Sequence, residues 1–165
     1  MILILVSSQK KNMELANLFK AYLENSATPC EVIDLVALEL PLYTSKVENE
    51  RPPEVVFDLE KKLKKADALV FVAPEYNGSL PPVLNNSIAW ISRAGSDWRS
   101  AFNGKPALIA THSGGGGSQV LMAMRLQLSY LGVNVMGRQI LTHKGKDLNH
   151  ESMVSCLEQL KNFAK

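Results

Sequence analysis

Cysteine is scarce in this 165-residue sequence, with two, and histidine nearly so, with three. Cys30 and Cys156 form no CxxC pair, and His112, His143 and His150 stand at no metal-ligand spacing to each other or to cysteine. The pattern argues against a structural metal or a disulfide framework and reads as free buried thiols in a reducing compartment. Long apolar runs are also lacking. Met1–Val6 is apolar, but polar residues follow at once, so it is too short for a signal h-region or a membrane span. The expected location is cytoplasmic, with no membrane partner. Neither sign of charge dominates: 18 basic and 16 acidic residues leave +2, and no basic run is interleaved with aromatics, which argues against a nucleic-acid partner. Lys61, Lys62, Lys64 and Lys65 recur among apolar residues at helical spacing and read as a solvated helix face. With 46% hydrophobic residues there is enough apolar surface to offset the ordering entropy of folding. The length suits one domain over 1–165.

What is there is an alternation. Met1–Val6 and Ala68–Ala73 are short Ile/Leu/Val-rich runs of the kind buried on both faces of a parallel sheet. Glu31–Leu35, Pro106–Thr111 and Val133–Ile140 read as further strands, the last interrupted near Gly137. Amphipathic helices are expected over roughly 12–26, 54–65, 81–94, 119–131 and 148–165, and residues 36–53 read as a long connection containing Pro41, Pro52 and Pro53. Strand and helix alternate five times, which specifies an open parallel sheet covered on both faces by right-handed crossovers.

In such a sheet a ligand sits beyond the carboxyl ends of the strands, where strand order reverses. Three loops of unusual composition follow the first, third and fourth strands. Ser7–Asn12 leads into a helix N-terminus, where exposed N–H groups favour an anion. A plain capping turn with solvated lysines explains that loop equally well. Pro74–Pro82 carries an aromatic, polar residues and Gly78; it suits contact with a flat ligand, or it is a turn that merely starts the next helix. His112–Ser118 contains Gly114–Gly117, whose missing Cβ atoms let a ligand lie against the main chain. Strand and helix flank those glycines too closely for a flexible linker. The loop is neither a Walker loop nor a G-x-G-x-x-G fingerprint, and Gly78-Ser79-Leu80 is no G-x-S-x-G hydrolase elbow.

The run Pro74-Glu75-Tyr76-Asn77-Gly78-Ser79-Leu80-Pro81-Pro82-Val83-Leu84-Asn85-Asn86-Ser87-Ile88-Ala89-Trp90 closely resembles the signature of the NADPH-dependent FMN reductase family, PEYN-x-S-x-P-x-x-L-K-N-A-I-D-W. The Ser113–Ser118 loop, with Arg125 and Leu131-Gly132 behind it, resembles that family's second flavin loop. The resemblance implies an α/β flavodoxin-like three-layer sandwich, with a five-stranded parallel sheet of order 2-1-3-4-5 and helices on both faces. It implies FMN as cofactor, NADPH or NADH as co-substrate, a small-molecule electron acceptor as partner, and a homodimer or homotetramer. By position, Ser7, Ser8 and Asn12 would hold the FMN phosphate. Pro74, Glu75, Tyr76, Asn77, Gly78 and Ser79 would border the isoalloxazine ring, and His112, Ser113, Gly114, Gly115 and Gly116 would meet its pyrimidine edge. No catalytic side chain and no metal is implied.

The first loop departs from the family's G-S-x-R-x-x-S-x-N-x-x-L-A. Asn12, Leu15 and Ala16 are kept, the Gly and Arg are absent, and Lys10 stands in for the Arg charge as a point charge rather than a fork. Asn85 and Ala89 replace the common Lys and Asp, at positions expected to face subunit contacts or solvent. Trp90 and Ile91 are candidates for a wall shared between subunits, or for the monomer core. A flavodoxin-like electron carrier and a flavin-free α/β module remain alternative readings; the mild positive charge argues against the first.

Overall fold

The computed structural model describes residues 1–50 and 52–164; position 51 of the connection and position 165 of the closing helix lie outside the described residues. The elements run β1 (Ile2–Val6), α1 (Lys11–Asn25), β2 (Cys30–Asp34), α2 (Ser45–Glu50), α3 (Glu54–Lys65), β3 (Ala68–Val72), α4 (Pro82–Ile91), a 3-10 turn (Trp98–Ala101), β4 (Pro106–Ser113), α5 (Ser118–Tyr130), β5 (Asn134–Val135), β6 (Ile140–His143) and α6 (His150–Phe163). All strand pairings are parallel, in the order β2-β1-β3-β4, with both β5 and β6 on the far side of β4.

The strand pleat sorts side chains onto two faces. Leu3 and Leu5 of β1, Leu69 and Phe71 of β3, and Ile109 of β4 join Leu59 and Leu63 of α3, Leu84 and Ile88 of α4, and Val120, Met124 and Leu128 of α5. Ile2, Ile4 and Val6, with Val70, Val72 and Leu108, point the other way, onto Phe19 and Leu23 of α1 and Met153, Leu157 and Leu160 of α6. Both faces of β1 and β3 are buried, which is why their sequences are continuously apolar.

The expected fifth strand is two short segments. Ala107 pairs with Val135 and Ala110 with Ile140, so three steps along β4 face five along the edge. An even insertion of two residues breaks the strand without exchanging its faces. Arg125 of α5 serves the break: Nη1 donates to Met136 O at 2.9 Å and Nη2 to Gln139 Oε1 at 3.0 Å.

The long connection is not featureless. It contains α2 and is strapped to α4, where Asn86 Nδ2 donates to Pro41 O (3.0 Å), Asn86 Oδ1 accepts from Tyr43 N (2.8 Å), and Trp90 Nε1 donates to Pro41 O (2.7 Å). Trp90 and Ile91 are therefore buried within the monomer, and the shared-wall reading of these two residues is corrected. The lysines of α3 do form a solvated face, with ion pairs Lys62–Glu31 and Lys64–Glu60. Cys156 is buried, whereas Cys30 is only partly so; both are free. Among the described residues no helix is long and apolar enough to cross a membrane, and no cluster of His, Cys, Asp or Glu could hold a metal ion.

Candidate functional site at the carboxyl rim of the sheet

β1, β3 and β4 end side by side, so their three following loops meet. Buried hydrogen bonds fix them to one another. Ser7 N and Oγ both donate to Val72 O, at 3.0 and 3.1 Å, tying the first loop to β3. Asn12 works like a strand residue toward β4: its Nδ2 donates to His112 O (2.9 Å) and its Oδ1 accepts from His112 N (2.7 Å). Asn12 is 3% exposed, and its amide is engaged at both ends. Thr111 Oγ1 donates to Ala73 O at 2.6 Å, joining β4 to the second loop. Gln9 Nε2 donates to Asp34 Oδ2 at 2.9 Å, which brings in the end of β2.

The second loop is a small hairpin. Tyr76 and Ser79 exchange N–H···O bonds at 3.1 and 3.0 Å around Asn77-Gly78. Both central residues have positive φ, 51° and 70°, which is the two-residue turn that an Asn-Gly pair favours. The turn holds Tyr76 half exposed at the rim. Glu75 points inward instead. Its Oε2 accepts from Val120 N at 3.2 Å, so a carboxylate from the second loop caps α5 in its first turn.

In the third loop β4 runs on to Ser113, so His112 and Ser113 are strand residues rather than loop residues. The four glycines divide into two kinds. Gly117 has φ 75°, and a Cβ there would lie 3.1 Å from both Ser113 Cβ and Thr111 Cγ2; the fold itself requires this glycine. A Cβ on Gly114 would meet nothing within 4 Å, one on Gly115 only Glu75 Oε1 at 4.0 Å, and one on Gly116 only Ser118 Oγ at 3.8 Å. The protein's own packing thus leaves open space over the main chain at 114–116. A planar ligand could fill it.

Three clefts open on this rim. The first, about 610 Å³, gathers Ser7, Ser8, Lys10, Asn12, Pro74 and Tyr76, together with Gln9, Lys11, Val36, Pro81, Pro82 and Val83. A second of about 510 Å³ shares Tyr76 and Pro82 with it and adds Glu75, Asn77 and Leu80. His112 lines a third, on the α1 side, of about 390 Å³. Gly78, Ser79, Ser113, Gly114, Gly115 and Gly116 line none of these three; they edge the rim as turn, strand and open loop. No side chain caps the start of α1, where Lys10 is the cap residue, and the Ser8 hydroxyl and Lys10 ammonium have no protein partner among the described residues. An uncapped helix start with free donors fits a phosphate.

Sequence reasoning placed Gln9, Pro81 and Pro82 in the first two loops without giving them a role, and had not reached Val36 and Val83 as cleft walls. Val36 was available to it, because it follows β2 at the same carboxyl end as the other loops. The inward turn of Glu75 carries no comparable local signal.

The first 147 residues match the family model described as NADPH-dependent FMN reductase. A quinone reductase of Pseudomonas putida is 38% identical over 100 residues, covering 59% of this chain and 53% of that protein, so the match spans about half that relative's length. An uncharacterized protein of Mycoplasma pneumoniae is 30% identical over 151 residues, covering 88% of this chain and 90% of its own. Among solved structures, the flavoenzyme NAD(P)H:(acceptor) oxidoreductase FerB of Paracoccus denitrificans superposes with a TM-score of 0.76 at 22% identity, over 99% of this chain and 94% of that one. That likeness shows a common flavodoxin-like fold. Together with the clustered loops of the rim, the match over residues 1–147 leads to one conclusion: the chain belongs to the NADPH-dependent FMN reductase family.

Proposed function

We propose that the protein binds FMN along this rim and passes hydride from NADPH or NADH to a small acceptor such as a quinone, an azo compound, a free flavin or a metal oxyanion. The observation that carries the reading is the pairing of an uncapped α1 N-terminus, beside free Ser8 and Lys10, with the open main chain at Gly114–Gly116. One end suits a phosphate and the other a flat ring edge. Relatives named for quinone and azo reduction support the acceptor classes.

The bound FMN would supply the redox chemistry. The chain's part is to bind and orient. The first N–H groups of α1, the Ser8 hydroxyl and Lys10 would take the phosphate. Asn12, already committed to His112, fixes the distance between the phosphate loop and β4 rather than spending its amide on the ligand. The Tyr76–Ser79 hairpin would set the border of the ring, and Tyr76 its outer face. The main-chain N–H groups of Gly114 and Gly116, in the loop that Glu75 pins through α5, would be donors toward the ring edge, whereas that of Gly115 is given to Ser113 Oγ at 3.1 Å.

A second copy of the chain completes the reading. Met122, Leu126 and Tyr130 recur every fourth residue on α5 and are 70%, 77% and 77% exposed. A single apolar stripe along a helix can meet its own copy across a two-fold axis, so a homodimer through α5 is proposed.

The test is a titration of purified protein with FMN, followed by NADPH or NADH and an acceptor. Bound flavin that is rapidly reduced and reoxidised supports the reading. Flavin bound but inert to nicotinamide points to an electron carrier, and no flavin binding to a flavin-free module.

A further inference from the structure

Only one of the two Glu75 carboxylate oxygens is engaged. Oε2 accepts from Val120 N at 3.2 Å, whereas Oε1 has no hydrogen-bond or ion-pair partner among the described residues. Oε1 is also the atom that borders the open space over the glycine loop, at 4.0 Å from a Cβ placed on Gly115. The residue is partly buried, and its other side opens on the cleft of about 510 Å³ that Tyr76, Asn77, Leu80 and Pro82 line without a cation. Lys10 and Lys11 line the first cleft, and Glu75 does not. What offsets its charge is the amino end of α5, whose cap residue Gly117 brings no side chain.

The glycine loop presents its donors unevenly to the same space. Gly115 N–H is turned to Ser113 Oγ at 3.1 Å, while the N–H groups of Gly114 and Gly116 have no protein acceptor among the described residues. Where the middle of the loop withholds a donor, an unpaired carboxylate oxygen stands instead.

Hydride transfer brings two electrons and one proton to the ring and leaves the nicotinamide oxidised, so the ring gains one unit of negative charge, spread over its pyrimidine edge. The two free main-chain donors favour that charge. A carboxylate oxygen at the same edge opposes it, and the opposition is weak in the oxidised ring, which is neutral there. We infer that Glu75 penalises the reduced flavin more than the oxidised one and so holds the bound cofactor as a strong reductant. The inference rests on the flavin reading above and extends it: the residue that pins the loop through α5 also biases the reaction toward delivery to the acceptor, at the expense of uptake from the nicotinamide.

The test compares two variants. Glu75→Gln loses the charge and keeps an oxygen for Val120 N; Glu75→Ala loses both. In thermal melts of the flavin-free proteins, Glu75→Gln should stay near wild type and Glu75→Ala should melt lower, because α5 loses its cap. The midpoint potential of bound FMN is then measured by anaerobic reduction against a redox dye, and the affinity for oxidised FMN by fluorescence quenching. Glu75 is partly exposed and its field is screened accordingly, so the expected gain in affinity for reduced over oxidised FMN is about tenfold in both variants. That raises the two-electron potential by about 30 mV. A potential unchanged in folded Glu75→Gln overturns the inference, and so does a rise confined to Glu75→Ala, which would make Glu75 a helix cap alone. In both of those outcomes flavin is bound, and the flavin reading stands. A wild-type protein that takes no flavin overturns that reading instead, and this inference with it.

Discussion

Gly115 and Gly117 stand two residues apart and should respond to substitution in opposite ways. At Gly117 a Cβ would meet Ser113 Cβ and Thr111 Cγ2, both at 3.1 Å, in a residue with φ 75°. The left-handed backbone costs about 1–2 kcal/mol for an L residue, and overpacking adds a similar amount, so Gly117→Ala should lose about 2–4 kcal/mol. For a chain of this size that lowers Tm by roughly 4–16 °C. At Gly115 the nearest atom is Glu75 Oε1 at 4.0 Å, so the flavin-free Gly115→Val variant should stay within about 1 kcal/mol of wild type. Its cost should fall on the ligand instead. An isopropyl group in the open space should displace the ring edge proposed to lie against the main chain there. Losing two hydrogen bonds to a charged edge, at about 1.5 kcal/mol each, weakens FMN about 100-fold. Thermal melts of the flavin-free proteins and quenching of flavin fluorescence measure the two effects. A Gly115→Val protein that melts like wild type and binds FMN as tightly would refute the reasoning.

Lys10→Ala should weaken FMN while leaving riboflavin binding nearly unchanged; equal losses for both ligands would remove Lys10 from the phosphate. Asn12→Ala strips the partners from His112 N and O and should destabilise the fold by about 2–4 kcal/mol, read by denaturant titration. Leu126→Lys should convert the proposed dimer to a monomer in light scattering; a wild-type protein that is already monomeric would remove the α5 stripe as a self-association surface. Glu48 accepts from Arg93 Nε (2.9 Å) and Tyr43 Oη (2.8 Å), and these bonds hold its carboxyl below the usual 4.5. The ionised form therefore favours the folded strap above that pH, and the contribution is lost as pH falls through the lowered value. Fluorescence of Trp90, which the strap covers, should change below about pH 4.5, and at higher pH in Arg93→Gln. A signal flat to pH 3 would show that Glu48 does not hold the strap.

Much of this was legible in the chain because the signals were local. The continuous apolar runs of β1 and β3 announce burial on two sides, Asn77-Gly78 announces its turn, and Gly114–Gly117 announce a loop with a bare main chain. The interruption near Gly137 was visible too, although not that the edge resumes two residues out of register with its faces kept and runs on to His143. What stayed hidden depends on contacts between distant segments. Asn12 has the composition of a phosphate ligand, and only the fold shows that a strand 100 residues later takes one hydrogen of its amide. Glu75 looks like a polar flank until α5 supplies a bare N–H. Trp90 looks like an interface aromatic until the strap around Pro41 covers it. The glycine run reads as uniform, and only the folded positions separate the one the backbone needs from those that leave room.

The most direct test of the central claim is a crystal grown with excess FMN. The account predicts the phosphate at the first turn of α1 beside Ser8 and Lys10, with the ring edge against the main chain of Gly114–Gly116. Flavin absent from that rim, or lodged elsewhere with Gly114–Gly116 facing bulk solvent, would contradict it.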